Sequence, residues 1–160
     1  MEKDTHLPLY GVGPFLVAPV IITAIIGLIL TFYGFIPKYE IISLNWLLTI
    51  LGILIVIYGI FFWISAVKSD IDDNIKENKL MTTGIYGLVR HPIYAAFLHI
   101  SIGLILISNN VHLFFLPIIY WIFLSMMLKR TEEKWLVDLY GEDYINYSKE
   151  VNRFFPKLVK

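Results

Sequence analysis

Arg90-His91-Pro92-Ile93-Tyr94 heads an apolar segment, residues 93–108, that turns at Asn109-Asn110 and continues as a second apolar segment, residues 111–128. Proline suits the first turn of a helix, where its missing N–H costs nothing, so Pro92 sets Arg90 and His91 just ahead of a helix start. The two asparagines leave only a tight turn, and the segments they join read as an antiparallel helical hairpin. A cation, an imidazole and a phenol at the mouth of an apolar segment are expensive to keep there, which marks the mouth as a site.

Outward from this hairpin, residues 14–36 and 44–67 form two further apolar segments. Each has about the 20 residues needed to cross a hydrocarbon core. The whole chain has 160 residues, 58% of them hydrophobic and 16% charged, with a mean hydropathy of +0.70. A soluble domain of this size cannot hide so much apolar surface. The expected fold is therefore an all-α integral membrane protein with about four transmembrane helices and a C-terminal helical cap. It forms a single membrane domain over 1–160: a two-span scaffold (14–67), a loop (68–92), the hairpin (93–128) and the cap (129–160). Net charge is zero, no basic run alternates with aromatics, and nucleic acid is excluded as a partner. The absence of cysteine excludes disulfides, thiolate metal sites and a cysteine nucleophile. The four histidines are scattered, with no pair at helical ligand spacing, so no metal is expected. No two glycines lie four apart within a span, so nothing argues for dimerisation, and the oligomeric state stays open.

With four spans, the N-terminus, the 68–92 loop and the tail share one side of the membrane. That side holds Lys3, Lys68, Lys76, Lys79, Arg90, Lys129, Arg130, Lys134, Lys149, Arg153, Lys157 and Lys160, leaving only Lys38 on the other. Positive charge stays in the cytoplasm, so both termini and the mouth of the hairpin are expected there in a multi-pass protein. In the tail, Trp135, Leu136, Leu139 and Tyr140 share one helical face. Gly141 then breaks the helix, and a second short helix follows from about residue 142 to 151.

Three clusters can carry chemistry. The first is Thr83 to Tyr94, in which backbone N–H groups at the start of a helix favour an anionic group such as a carboxylate. Its bland reading is an interfacial anchor, with Arg90 reaching headgroups and Tyr94 in an aromatic belt. The second is Glu132-Glu133. Neighbours in sequence do not share a helix face, so one carboxylate can face a pocket while the other pairs with a cation. A solvated acidic turn is the alternative. The third is Tyr144, Tyr147 and Arg153, followed by Phe154-Phe155-Pro156. The forked donors of Arg153 suit a carboxylate or phosphate, against the alternative of a surface arginine on an interfacial tail. His99, inside the third span, reads as a hydrogen-bonded packing residue, and His6 and His112 gain no role from spacing.

The ordered set Gly84-Ile85-Tyr86, Arg90-His91-Pro92, Tyr94, Glu132-Glu133, Leu136, Tyr140-Gly141, Tyr144, Tyr147, Val151, Arg153 and Pro156 resembles the isoprenylcysteine carboxyl methyltransferase family and the related phospholipid N-methyltransferases. The resemblance covers about residues 80–157. It differs from the common pattern at Ala96 and Asn152. It implies an enzyme that moves a methyl group from S-adenosyl-L-methionine to a lipidic acceptor in one step at the cytosolic interface. Arg90, His91, Pro92, Tyr94, Glu132 and Glu133 would bind the cofactor, with His91 on its carboxylate and Glu133 on its amino group or ribose. Arg153, with Tyr144 and Tyr147, would hold the acceptor, and Arg153 and Glu133 would carry the catalytic roles. The acceptor would be an isoprenylcysteine carboxylate, a phospholipid amine or another isoprenoid, lipid or lipidated peptide. Two other readings are an NADPH-dependent reductase like the sterol reductases and a non-catalytic membrane scaffold.

Overall fold

The computed structural model describes residues 12–69 and 79–157. Lys3, His6, Lys76 and Lys160, with parts of the expected 68–92 loop and 129–160 cap, lie outside the described residues. Among the described residues the architecture is helical throughout. Helix α1 is Gly13–Phe32, α2 Asn45–Val67, α3 Ile85–Leu88, α4 Pro92–Ser108, α5 Leu116–Arg130, α6 Glu132–Tyr140 and α7 Glu142–Glu150. Three stretches, Gly13–Phe32, Ile42–Val67 and Val111–Tyr140, are long and apolar enough to cross a membrane. At 1.5 Å per residue, α1 and α2 reach about 30 and 34 Å. Their outer faces display Phe15, Ile22, Phe32, Trp46, Leu54 and Phe61, a surface suited to lipid rather than water.

The shorter α4 runs through the middle. Pro92, Tyr94, Ala95, Ala96, Leu98, His99, Ser101, Gly103 and Ile105 are all buried, so α4 is apolar all round because it is packed all round. It lies closest not to its hairpin partner α5 but to α2. A Cβ on Gly103 would sit 2.5 Å from the carbonyl oxygen of Gly52, and one on Gly59 would sit 2.8 Å from that of Ala96. Only the missing side chains let the two backbones approach so far. Gly52, Gly59 and Ala66 on α2 are seven apart, as are Ala96 and Gly103 on α4, so the seam keeps its register over the crossing.

The ends of the helices differ modestly from expectation. Helix α1 stops at Phe32 instead of continuing to 36, and the chain then crosses to α2 past Gly34, whose φ is +79°. The hairpin turn is longer than a two-residue link. Asn109 is left-handed (φ +46°, ψ +38°) and ends α4, and a 3₁₀ turn over Val111–Leu113 precedes α5. In the tail, Gly141 (φ +56°) separates α6 from α7, a conformation in which any side chain would be strained.

Candidate active site

The site lies where the start of α4 meets α6 and the segment after α7. Arg90 and His91 precede Pro92, the first residue of α4, and their backbone is gripped by the tail. Arg90 N–H donates to Asn152 O at 2.8 Å and His91 N–H to Arg153 O at 3.1 Å. Two chain segments some 60 residues apart are thus laced together before any side chain is considered. Phe154, 1% exposed, seals the junction.

Glu133 is the centre of the side-chain cluster. Its Oε1 accepts from Arg90 Nη2 at 2.8 Å and from Arg153 Nε at 2.8 Å, and its Oε2 accepts from Arg153 Nη2 at 2.6 Å. The Arg153 contact is the forked, two-bond geometry that a guanidinium offers a carboxylate. Burial alone would raise the pKa of Glu133, but His91, Arg153 and Arg90 outweigh it and hold the carboxyl down to about 2. Hydrogen bonding to Glu133 in turn raises the pKa of Arg153. The neighbouring Glu132 turns the other way, as the one-residue offset requires. It accepts from the Tyr94 hydroxyl and lies 3.5 Å from His91 Nδ1. Burial opposes a charge on His91, yet Glu132 and Glu133 together raise its pKa above the usual imidazole value.

Two tyrosines complete the wall. The Tyr147 hydroxyl donates to Tyr86 O at 2.6 Å and braces α7 against α3, and burial pushes its pKa up to about 12. Tyr144 is buried under Arg90, whose Cζ stands 6.0 Å from the ring centre. Arg90 Nη1 also donates to Ser148 O at 2.6 Å. Three polar atoms in this packed region have no hydrogen-bond partner among the described residues: Arg90 Nε, His91 Nε2 and the Tyr144 hydroxyl. His91 Nε2 does come within 3.4 Å of Glu133 Oε1, but as a charge contact and not as an aligned hydrogen bond. A cleft of about 450 Å³, lined by Lys79, Thr82, Tyr140, Asp143 and Asn146, opens between α6, α7 and residues 79–82, beside the cluster and not over it.

All the residues singled out in the sequence therefore meet in one place: Arg90, His91, Pro92, Tyr94, Glu132, Glu133, Tyr144, Tyr147 and Arg153. The sequence reading missed the backbone lacing by Asn152 and the braces at Tyr86 and Ser148. Neither Asn152 O nor Ser148 O could have been found, because a carbonyl partner leaves no trace in residue type. Phe154 was visible as part of the Phe-Phe-Pro run, without its role as a plug.

The fold and the site together define a helical membrane protein with a largely buried cluster of two arginines, two glutamates, a histidine and three tyrosines at one end of its central helix. The family model for phospholipid methyltransferase matches residues 22–143, and the chain belongs to that family. It is also similar to protein-S-isoprenylcysteine O-methyltransferase of Schizosaccharomyces pombe, 37% identical over 82 residues, which are 51% of this chain and 34% of that protein. Its likeness to the protein of the same name from Saccharomyces cerevisiae is 34% over 119 residues, 69% of this chain and 49% of the relative. Protein-S-isoprenylcysteine O-methyltransferase B of Arabidopsis thaliana is 29% identical over 82 residues, 51% of this chain and 41% of the relative. The chain thus spans a third to a half of the length of these curated relatives. No solved structure matches it.

Proposed function

We propose that this chain is a membrane methyltransferase that uses S-adenosyl-L-methionine to methylate a lipidic acid of the isoprenylcysteine type. The observation that carries the reading is the set of three unpaired buried polar atoms, Arg90 Nε, His91 Nε2 and Tyr144 Oη, within a cluster whose family and relatives are methyltransferases. When bound, the cofactor supplies a methyl group on a sulfonium sulfur, which an oxygen nucleophile displaces in one step. Arg90 and protonated His91 are donors suited to the carboxylate of its amino-acid moiety, and Tyr144 can donate or accept beside them. With His91 charged, the cluster holds three cations against Glu132 and Glu133, a surplus that favours an anionic partner.

Glu133 acts as a positioning residue. Its two oxygens are committed to Arg90 and Arg153, and it fixes both guanidiniums. Glu132 is the more open carboxylate, at 20% side-chain exposure against 10% for Glu133, and takes the cofactor's amino group or ribose. Arg153 spends Nε and Nη2 on Glu133 and keeps Nη1, which has no partner among the described residues, to orient the acceptor's carboxylate. A carboxylate acceptor needs no general base, so rate comes from holding the two reactants in line and excluding water. Charge placement supports a cytosolic site: all the lysines and arginines except Lys38 lie on the side of the cluster when four spans are drawn.

Calorimetry of the purified protein in detergent tests the reading. Binding of S-adenosylmethionine and of its demethylated product is expected, and His91→Ala should weaken both by tenfold or more, about 1.4 kcal/mol. Binding of neither compound sinks the reading, and binding of a reduced nicotinamide cofactor in their place would point to a reductase. Incubating membranes with cofactor carrying a labelled methyl group, then identifying the labelled lipid, separates an acid acceptor from the phospholipid acceptor that the family's description suggests.

A further inference from the structure

The lipid-facing stripe of α5 ends in charge. Ile118, Ile122 and Met126 follow one another at helical spacing on one face and are 60%, 42% and 50% exposed. At about 100° per residue, Lys129 falls on the same face with Arg130 beside it, and both are exposed. The two cations therefore stand at the rim of the apolar stripe, where hydrocarbon gives way to headgroups, and not on a side turned into the bundle. Thr131 then bends the chain (φ −119°, ψ −91°) without interrupting its helical connectivity. Its N–H donates to Met127 O at 3.0 Å, and Trp135 N–H donates to Thr131 O at 3.1 Å. Lys134 thus follows Arg130 by about one turn, and it too is exposed.

These three cations are not balanced locally. The acidic residues between them, Glu132 and Glu133, face the other way and are spent on Tyr94, His91, Arg90 and Arg153. Among the described residues no carboxylate lies within ion-pair distance of Lys129, Arg130 or Lys134, the exposed Asp138 one turn further on included. Lys38, at the opposite end of the bundle, is by contrast paired with Glu40. The helix dipole favours cations in the last turn of α5, but it opposes one at Lys134, in the first turn of α6. A cation set against its own helix dipole, beside two more at the edge of a lipid-facing stripe, calls for an anion from outside the chain.

We propose that Lys129, Arg130 and Lys134 form a docking surface for the headgroup of an anionic phospholipid. The phosphodiester supplies the missing counter-charge, and the acyl chains lie along Ile118, Ile122 and Met126, a stripe that a soluble anion or an acidic peptide leaves bare. The bound lipid pins the α5–α6 bend, directly after which Glu132 and Glu133 enter the charged cluster. This surface stands apart from that cluster and does not depend on what the cluster methylates.

The full chain reconstituted in nanodiscs of phosphatidylcholine and phosphatidylglycerol in equal parts tests the surface, with native mass spectrometry of the released protein counting the lipids that stay bound. Wild type should retain phosphatidylglycerol in preference to phosphatidylcholine. Lys134→Gln should lower that preference about fivefold, and Lys129→Gln combined with Arg130→Gln by more. Lys38→Gln removes the same formal charge at the opposite end and should leave the preference unchanged. Phosphatidylglycerol should also raise the unfolding midpoint of wild type and of Lys38→Gln but not of the double variant, while midpoints in pure phosphatidylcholine, equal in all, report that each protein is folded. Retention of the two lipids in their bulk ratio by wild type, or an unchanged preference in the Lys129, Arg130 and Lys134 variants, overturns the docking surface. An equal loss in Lys38→Gln overturns it as well, since net charge alone would then explain the retention. Displacement of the lipid by glycerophosphoglycerol, the same headgroup without acyl chains, would assign the cations to a free anion and overturn the lipid as their partner.

Discussion

The two ends of α4 are both polar, and they handle polarity in opposite ways. At the far end, Asn109 and Asn110 are fully buried and fully bonded. Asn109 Oδ1 accepts from Ile41 N at 3.2 Å, and its amide donates to Ile41 O and Asn45 Oδ1, each at 3.3 Å. Asn110 Oδ1 accepts from His112 N at 3.1 Å, and its amide donates to Thr31 Oγ1 at 3.1 Å and Pro37 O at 3.3 Å. Neutral groups close every bond, and the result is a clasp that holds the 33–44 crossover to the hairpin turn. At the near end, charged groups converge on Glu133 and three polar atoms are left over. A clasp satisfies itself. A binding site keeps donors unspent, and stability there is given up for a ligand that completes the set.

The largest effect is expected where the centre of the charged end is removed. Glu133→Ala leaves Arg90, with a side chain 7% exposed, and the more open Arg153 without their shared counter-charge. Breaking a buried pair by deleting one partner costs about 3 to 5 kcal/mol, and the partial exposure of Arg153 places this site near the lower value, about 3 kcal/mol. Thermal unfolding in detergent should show a large fall in midpoint. A change of a degree or less would mean that the cluster is solvated and not a site.

At the clasp, Asn110→Ala strands the His112 N–H and the Pro37 carbonyl at once, while the Thr31 hydroxyl keeps its bond to Gly27 O. A loss of about 2 kcal/mol is expected, with S-adenosylmethionine affinity unchanged. Equal damage to cofactor binding would show that the two ends are energetically coupled and not independent. Between these in character is Tyr147, whose one hydroxyl bond among the described residues goes to Tyr86 O. Tyr147→Phe should cost about 1 kcal/mol and leave cofactor affinity near wild type, because this hydroxyl is a brace and not a spare donor.

How much of this could be read from residue types follows the same division. Arg90, His91, Tyr94, Glu132, Glu133 and Arg153 stood out because ionisable groups beside apolar segments are costly, and all six meet. Their pairing was not legible. The adjacent glutamates allow either one to face the arginines, and only the turn from α5 into α6 at Thr131 decides that Glu133 does so. The tail helices were legible, since Gly141 breaks the apolar stripe, and so was the hairpin. The α2–α4 seam was not. Its small residues repeat every seven positions, and a search for pairs four apart passes over Gly52, Gly59 and Gly103, whose close contact appears only when the two helices are laid together. The asparagine clasp shows in the sequence only as a turn, because its partners are mostly backbone groups from a distant crossover.

The pH dependence of stability distinguishes the ends further, since the clasp has nothing to titrate. His91 has a raised pKa in the fold, so its contribution is complete below the ordinary imidazole pKa of about 6.5 and is lost as pH rises through the raised value. Glu133 has a lowered pKa, so its contribution is complete above about 4.5 and is lost as pH falls toward about 2. The cluster is therefore most stabilising between about pH 4.5 and 6.5. Midpoints measured at pH 5.5 and 8.5 should differ in the wild type, and the part due to His91 should vanish in His91→Phe. An unchanged difference in that variant would place the imidazole outside the charged network.

The smallest expected effect on stability is the most informative about function. The Tyr144 hydroxyl is buried and unbonded, so Tyr144→Phe removes an unsatisfied group and not an interaction. Unfolding should shift by no more than about 0.5 kcal/mol, and a slight gain is consistent with relief of the unpaired oxygen. If that oxygen waits for the cofactor, S-adenosylmethionine affinity should fall several-fold in the same variant, a loss in binding with none in folding. Tyr147→Phe gives the reverse pattern three residues, about one turn, away on the same helix, loss in folding with none in binding. The pair thus converts the contrast between spent and unspent hydrogen bonds into two measurements on one α7 helix. An affinity loss in Tyr147→Phe with none in Tyr144→Phe would exchange their roles and move the pocket to the other side of Arg90.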